Sequence, residues 1–462
     1  MEGRQRQGQI QQQVKVKGDG QECPSHTGGG GTISFVRRQI LNTLIFVVLM
    51  LSSLGAQSKR LWVMSASGAM VEYDPATLAE KPLTEKQTVK VPAETIESAQ
   101  NCSVNHLGQM LFAAPVSLPL SDGDLAESQS RKVWFWDRRA ATTLSRELTR
   151  TTSTTGSNIA IGESVAVPAL SSDGTHLYWF SNQAHRLQRD GVDLSTRNTW
   201  QSWRTDLTGA NREDLATVAL PECSCPTGSC EDTCAYGEVW VPDDGVGKFF
   251  VLTQFVSGKA QPIYKSSSLY EERAGKWTAA PVDPPLRRVL DAANANTILE
   301  AIPDTACCGW ENQSDDQTVL RLHGKTLIVF DELESYKNPD YDVSFYTENG
   351  KLSPDASSVA LTIVATAQPN TAIQLAEQGQ ANPEESLRIR KALLELPAVE
   401  VKSVEDSPRR IAFLPHAELV GWISDKEILI VEGHVLVAYD VGTGARRKSG
   451  VRVEDVGRVF LR

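Results

Sequence analysis

The sequence lacks the short motifs that carry most enzyme chemistry. It has no G-x-S-x-G nucleophile elbow, no P-loop, no dinucleotide-binding glycine fingerprint and no H-E-x-x-H zinc helix. Its seven histidines stand singly, at 26, 106, 176, 185, 323, 416 and 434. No stripe of Lys and Arg interleaved with aromatics occurs. That disfavours a nucleic-acid partner, because phosphate binding needs clustered cations. Beyond residue 57 the chain carries 40 basic and 54 acidic residues, net −14, which also disfavours an acidic lipid surface. No apolar run reaches the roughly 20 residues of a spanning helix. Long amphipathic helical periods are missing as well; the best candidate, 383–396, is short.

One apolar segment is present near the start. Arg37 and Arg38 precede the run Ile40 to Leu54, and small residues follow through Ser58. A basic region, a short apolar region and a small-residue zone describe a secretory signal peptide over 37–57, exported to a periplasmic or extracellular space. The alternative is an uncleaved anchor, with 40–54 holding the protein to a membrane. No Cys sits at the cleavage zone, which argues against a lipoprotein. Residues 1–36 are rich in Gln and Gly without an apolar period, so they read as a disordered leader or as a start assigned too far upstream. Sequencing the unprocessed precursor separates these two.

From residue 58 the chain reads as all-β. Short aromatic and β-branched runs recur between Gly, Asp, Asn and Pro: Leu61-Trp-Val-Met64, Lys132-Val-Trp-Phe-Trp136, His176-Leu-Tyr-Trp-Phe180, Lys248-Phe-Phe-Val-Leu252, Leu327-Ile-Val-Phe330, Val359-Ala-Leu-Thr-Ile-Val364 and Ile428-Leu-Ile-Val431. They carry a repeat. One half is a polar turn leading into an apolar strand, as in Asn105-His-Leu-Gly108, Ser171-Ser-Asp-Gly174, Pro242-Asp-Asp-Gly245, Ser353-Pro-Asp-Ala356 and Ser424-Asp-Lys426. Asp and Ser cap such reversals with their side chains, and Gly supplies positive φ. The other half is an aromatic strand ending in Asp, at Asp74, Asp137, Asp206, Asp331 and Asp440. Weaker copies are Ile263-Tyr-Lys265 and Leu387-Arg-Ile-Arg390.

The spacing yields seven units of about 60 residues, each large enough for a four-stranded blade. We therefore expect one β-propeller over 58–462, with seven blades; six or eight blades, or a sandwich or solenoid, are the competing readings. The final run, 451–461, is expected to complete the first blade and remove the open sheet edges. The Ser-x-Asp-Gly turns and the Tyr439-Asp-Val-Gly-Thr-Gly444 ending resemble TolB-type propeller repeats of bacterial exported proteins, most clearly at 171–209 and 422–446. The resemblance implies architecture rather than function. TolB itself carries a further N-terminal α/β domain, so its role is not implied.

Candidate functional residues lie in polar stretches between the strands. Cys223, Cys225, Cys230 and Cys234 fall within a dozen residues, which in an exported chain reads as a disulfide-stapled loop. Each closed loop would add about 2–3 kcal/mol by restricting the unfolded chain. A zinc site is the alternative, although the spacing lacks paired C-x2-C knuckles. Cys307 and Cys308 are adjacent and expected to pair with separate partners, leaving Cys102 as the odd thiol. Trp310, Asp315, Asp316, Tyr336, Asp340, Tyr341 and Asp342 make an acidic, aromatic stretch that suits a carbohydrate or peptide surface. Oxygen-rich loops also bind calcium, but no EF-hand or nonapeptide pattern is present. No other cofactor is indicated.

These features point to a monomeric, non-catalytic propeller that recognises a protein, peptide or glycan. The alternative is an extracytoplasmic enzyme whose active site gathers residues from several blades in the central channel. The cysteine reading has a direct check. Alkylation of the unreduced, denatured protein should leave the four cysteines of 223–234 unmodified; four modified thiols in that peptide would refute the staple.

Overall fold

The computed structural model describes residues 59–83, 89–91, 102–117, 129–137, 142–148, 159–165, 169–189, 192–219, 223–224, 235–256, 263–302, 317–322, 325–330, 345–365, 384, 387, 391, 394–405 and 407–462. Within 59–462 the chain builds seven antiparallel sheets, six of four strands and one of six. Blade 1 contains β1 (Leu61–Met64), β2 (Ala69–Tyr73) and β3 (Val89–Lys90). Blade 2 is β4 (Cys102–Val104), β5 (Gln109–Ser117), β6 (Gln129–Asp137) and β7 (Thr142–Leu148). Blade 3 is β8 (Ile159–Val165), β9 (Ala169–Leu170), β10 (His176–Arg189), β11 (Val192–Asp206) and β12 (Glu213–Ala219), with β13 (Cys223–Ser224) added to β11. Blade 4 is β14 (Ala235–Trp240), β15 (Phe249–Val256), β16 (Ile263–Arg273) and β17 (Lys276–Val282). Blade 5 is β18 (Arg288–Asn294), β19 (Thr297–Ile302), β20 (Gln317–Leu322) and β21 (Lys325–Phe330). Blade 6 is β22 (Phe345–Leu352), β23 (Ser358–Ala365), β24 (Ala398–Ser403) and β25 (Arg410–Pro415). Blade 7 is β26 (Ala417–Ser424), β27 (Glu427–Glu432), β28 (Val435–Asp440) and β29 (Arg446–Arg452). The last strand, β30 (Val459–Leu461), returns to blade 1 and pairs with β1.

This is the expected seven-bladed propeller, closed as expected. The first strands of successive blades touch one another, as β4 does β9, β22 does β18 and β26, and β26 does β30, so they line the axis. Leu61 pairs with Leu461, Trp62 with Phe460 and Val63 with Val459. Arg60 N–H donates to the Arg462 carbonyl at 2.5 Å and Arg462 N–H to the Arg60 carbonyl at 2.8 Å. The unbroken apolar run of β1 follows from this position. Strand side chains alternate between faces, and here each face meets another blade. Leu61 and Val63 pack with Leu429, Val431 and Leu436 of blade 7. Trp62 and Met64 pack with Met110, Phe112 and Trp136 of blade 2. β30 divides the same way, with Val459 and Leu461 on one side and Phe460 on the other.

The two repeat motifs mark the same end of the ring. Ser171 Oγ accepts from Thr175 N–H at 3.0 Å and His176 N–H at 2.9 Å; Ser353 Oγ accepts from Ser358 N–H at 2.9 Å. Both serines turn a first strand into a second. Asp74, Asp206 and Asp440 cap the turn after the third strand, Asp440 accepting from Gly442 N–H at 3.0 Å and Thr443 N–H at 2.7 Å. The copy at Asp331 and the two weaker copies sit elsewhere in their blades. Phe330, before Asp331, ends the outer strand of blade 5, and Ile263 to Lys265 begins the third strand of blade 4. The copy at 387–390 falls in an insertion between β23 and β24 where Glu384, Leu387, Lys391, Leu394 and Glu395 are helical. Its Leu-Arg-Ile-Arg alternation reads as strand, but the surrounding Ala, Leu, Glu and Lys favour helix.

Phe460 retains 4% of its surface. Phe460→Ala should cost about 3–5 kcal/mol in urea unfolding, an unusually large effect for a residue two positions from Arg462. A change within ~0.5 kcal/mol would mean that β30 does not close the ring in solution.

Candidate functional site

The turns between first and second strands converge at one mouth of the channel, and charged residues from four blades meet there. Asp243 and Asp244 sit on the segment joining β14 to β15. That segment is docked on blade 3: Val246 N–H donates to the Leu170 carbonyl at 2.7 Å, and Ser172 N–H to the Val246 carbonyl at 3.0 Å. The approach requires Gly245. Its φ is 107°, and a Cβ there would stand 2.4 Å from the Leu170 oxygen. Asp291 lies on β18 immediately after a bulge at Leu290, which breaks the alternation and re-aims the carboxylate. Lys351 is near the end of β22, Lys59 precedes β1, and Arg462 follows β30.

One carboxylate oxygen organises the group. Asp243 Oδ2 accepts from Lys351 Nζ in a short contact and from Arg462 Nη1 at 3.5 Å. Blades 6 and 1 are thereby tied to blade 4. Arg462 Nε also donates to the Val104 carbonyl of blade 2 at 3.1 Å. Lys59 Nζ donates to the Trp422 carbonyl of blade 7 at 2.6 Å, and Trp422 Nε1 to the Lys351 carbonyl at 2.9 Å. Asp291 Oδ2 accepts from Leu352 N–H at 2.8 Å, joining blades 5 and 6.

The burial of these groups sets their protonation. Desolvation pushes the Asp243 carboxyl up, but Lys351, Arg462 and Lys59 together outweigh it and hold the group well below the usual range. Lys351 moves the other way: burial favours its neutral form, and the charges of Asp243 and Asp291 overcome this and raise it. Burial dominates at the remaining members. It lowers Lys59, and it raises Asp291 and Asp244. The Asp243 side chain keeps 44% of its surface open, against 14% for Lys351 and 16% for Arg462, so its carboxylate faces the lumen and is partly screened.

None of these six residues stands out in the sequence. They are separated by up to 403 positions, and only Asp243 and Asp244 belong to a recognised turn motif. The residues singled out from the sequence lie elsewhere. Cys225, Cys230, Cys234, Cys307, Cys308, Trp310, Asp315, Asp316, Tyr336, Asp340, Tyr341 and Asp342 are outside the described residues, and of Cys223 only the backbone is described, paired through Thr196. The strand ends from which these segments leave and to which they return, among them Ile302 and Gln317, lie at the end of the blades opposite the charged mouth. His434 occupies the turn between β27 and β28 with φ 64°. Among the described residues no group of three His, Cys, Asp or Glu is placed to hold a metal ion; the calcium stretch considered above is outside them.

No family model matches the chain, and no curated protein matches it. Solved structures do resemble it. The Pyrococcus horikoshii acylaminoacyl peptidase is 11% identical over 83% of this chain and 48% of its own, with a TM-score of 0.41. The Porphyromonas gingivalis dipeptidyl peptidase 4 is 9% identical over 86% and 59%, with a TM-score of 0.43. The β-propeller domain of the Trilobed protease from Pyrococcus furiosus is 9% identical over 77% and 97%, with a TM-score of 0.31. This chain thus spans about half of the first protein and under two thirds of the second. At these identities the likeness is one of fold, and the class is the seven-bladed β-propeller.

The cross-channel tie predicts a pH-dependent cost. Asp243→Asn should destabilise the protein by about 1–3 kcal/mol at pH 7, a range reduced for the exposure of the carboxylate. The folded-state value of Asp243 is depressed, so its contribution is present above the unfolded value of about 3.9 and is lost as pH falls below it. Denaturant midpoints of wild type and variant should therefore converge at acid pH; a gap that persists unchanged there would remove the charge explanation.

Proposed function

We propose that this chain is an exported, non-catalytic propeller of TolB-like repeats that binds a protein, peptide or glycan. The observation that carries the proposal is the way the channel charges are used. Lys351, Asp243 and Arg462 are engaged with each other, and Lys59, Asp291 and Arg462 with backbone groups of neighbouring blades. Such bonds hold a ring in shape; they do not set a nucleophile against a base. Among the described residues, the hydroxyl bonded to a histidine ring, Thr175 Oγ1, serves its own turn through Asp173, as does the Ser171 hydroxyl.

The distribution of connections supports a binding role. At the charged mouth most turns are short, such as 295–296 between β18 and β19 and 425–426 between β26 and β27. At the other end the connections include 303–316, 331–344 and 366–397. Long segments rooted on a rigid scaffold are where recognition surfaces are built. Blade 3 also projects furthest, β10 and β11 running 14 and 15 residues. Export rests on the segment 37–57 and on the cysteine cluster.

Peptide and glycan arrays probed with the purified full chain test this. Binding should be saturable, the ligand should be recovered with its mass unchanged, and replacing 303–316 by a two-residue turn should abolish binding without lowering the melting temperature. A ligand recovered chemically altered would make the chain an enzyme.

A further inference from the structure

We propose that the helical segment between β23 and β24 of blade 6 is a docking face for an acidic amphipathic helix of a partner protein, held by Leu387, Lys391 and Leu394. The proposal rests on the binding reading above. It names the partner's chemistry for one of the long connections which that reading assigns to recognition.

Among the described residues three large hydrophobic side chains are exposed, and all three belong to blade 6: Leu387 at 67%, Leu394 at 51% and Ile411, on β25, at 39%. Leu387, Lys391 and Leu394 are helical and exposed, at spacings of four and three. That spacing puts them on one stripe. Ile389, Leu393 and Leu396 repeat the same spacing two positions on, about 200° away around a helix. A helix lying on its own blade uses one apolar stripe. This sequence carries two, and the stripe with Leu387 and Leu394 is left in solvent. The end of the segment is fixed. The Glu395 carbonyl accepts from His416 N–H and the Pro397 carbonyl from Ala417 N–H, each at 3.0 Å.

Charge selects the partner. Residues 388–391 hold three cations and no acid. Among the described residues no carboxylate pairs with Lys391, which stands between the two leucines. A partner stripe with apolar side chains over Leu387 and Leu394 and a carboxylate over Lys391 covers the leucines and completes the ion pair. The leucines supply affinity, and the ammonium–carboxylate contact supplies specificity. A second copy of this chain fits poorly. Two such stripes laid antiparallel, Leu387 on Leu394, bring Lys391 of one against Arg390 of the other, a like-charge contact. A lipid surface fits poorly as well, since an interfacial helix presents a broad apolar face and this stripe has two leucines.

Fluorescence anisotropy of a labelled peptide titrated with the full chain provides the test. The probe is an Ala/Gln helix of about 20 residues, long enough to hold its structure, with Leu, Glu and Leu at the spacings of 387, 391 and 394; its twin carries Lys for Glu. The Glu peptide should bind saturably and at least about tenfold more tightly than the Lys peptide, although the net charge of the chain, −11, favours the latter. Leu387→Ser and Leu394→Ser should each weaken the Glu peptide at least about tenfold. Both side chains are exposed, so the melting temperature should not change. Lys391→Glu should reverse the preference between the two peptides. Absence of saturable binding, equal affinity for the two peptides, an unaffected Leu387→Ser variant, or a Lys391→Glu variant that keeps the wild-type preference would each overturn the proposal. So would another occupant of the face: a dimer in sedimentation, or binding to vesicles of phosphatidylglycerol and phosphatidylcholine, that Leu394→Ser abolishes. The variant shortened at 303–316 should bind the Glu peptide as the wild type does, so failure here and failure on the arrays are separate results.

Discussion

The structure depends on closing a ring. A propeller blade is a sheet with two apolar faces, and each face is covered only if another blade lies beside it. Blade 1 has its inner strand supplied by β30, more than 380 residues away from β1 in the chain. Without that strand, the faces that Trp62 and Met64 present to blade 2, and Leu61 and Val63 to blade 7, lose their common anchor. The pairing is only three residues long. Its strength comes from where the side chains go: Val459, Phe460 and Leu461 are all buried, at about 1.5–3 kcal/mol each relative to exposure.

Polar bonds then fix the register of each blade against the next, mostly at one mouth. Asn105 Nδ2 reaches the Ser171 carbonyl at 3.4 Å and Gln109 Nε2 the Gly174 carbonyl at 3.0 Å, joining blades 2 and 3. Val246 joins blade 4 to blade 3, and Asp425 accepts from Asp355 N–H at 2.9 Å across blades 6 and 7. Apolar contact between blades is non-directional and tolerates sliding; a hydrogen bond across the seam does not. The Lys351–Asp243–Arg462 group extends the same device across the channel. Its cost is the partial desolvation of three charges; the attraction between opposite charges outweighs that cost, which is why Asp243 is lowered and Lys351 raised from their ordinary values. With most turns at one mouth short and its charges paired, the strand ends that leave the longest gaps in the chain lie mainly at the opposite end, and this division of labour underlies the proposed binding role.

The fold was legible because it is local chemistry repeated. Each of the seven runs read as strands lies in one, since aromatic and β-branched residues between turn formers suit a pleated, buried surface wherever they occur. Ser171 and Ser353 make the same side-chain bonds in different blades, and Asp206 and Asp440 do likewise. The reading was less good where periodicity was weak. In blade 5 the aromatic-Asp pair marks the outer strand, and between β23 and β24 a two-residue alternation begins at Leu387, which is helical. The charged cluster was not legible at all. Lys59 and Asp291 have no flanking motif, Lys351 stands just before the Ser353 turn without belonging to it, and their neighbours come from other blades.

The sequence by itself determined that the chain is rich in short strands with a repeat of about 60 residues, from which seven four-stranded blades and a final strand returning to the first were expected ahead of six, eight or a sandwich. Turn chemistry, strand propensity and spacing are properties of short segments, and they do not need the rest of the molecule. Tertiary structure alone decided which charges meet. Seven segments that each end a first strand point at one axis, so residues hundreds of positions apart come within bonding distance. The ionisation of a carboxylate there is set by that convergence: burial pushes Asp243 up, and the nearness of Lys351, Arg462 and Lys59 outweighs it.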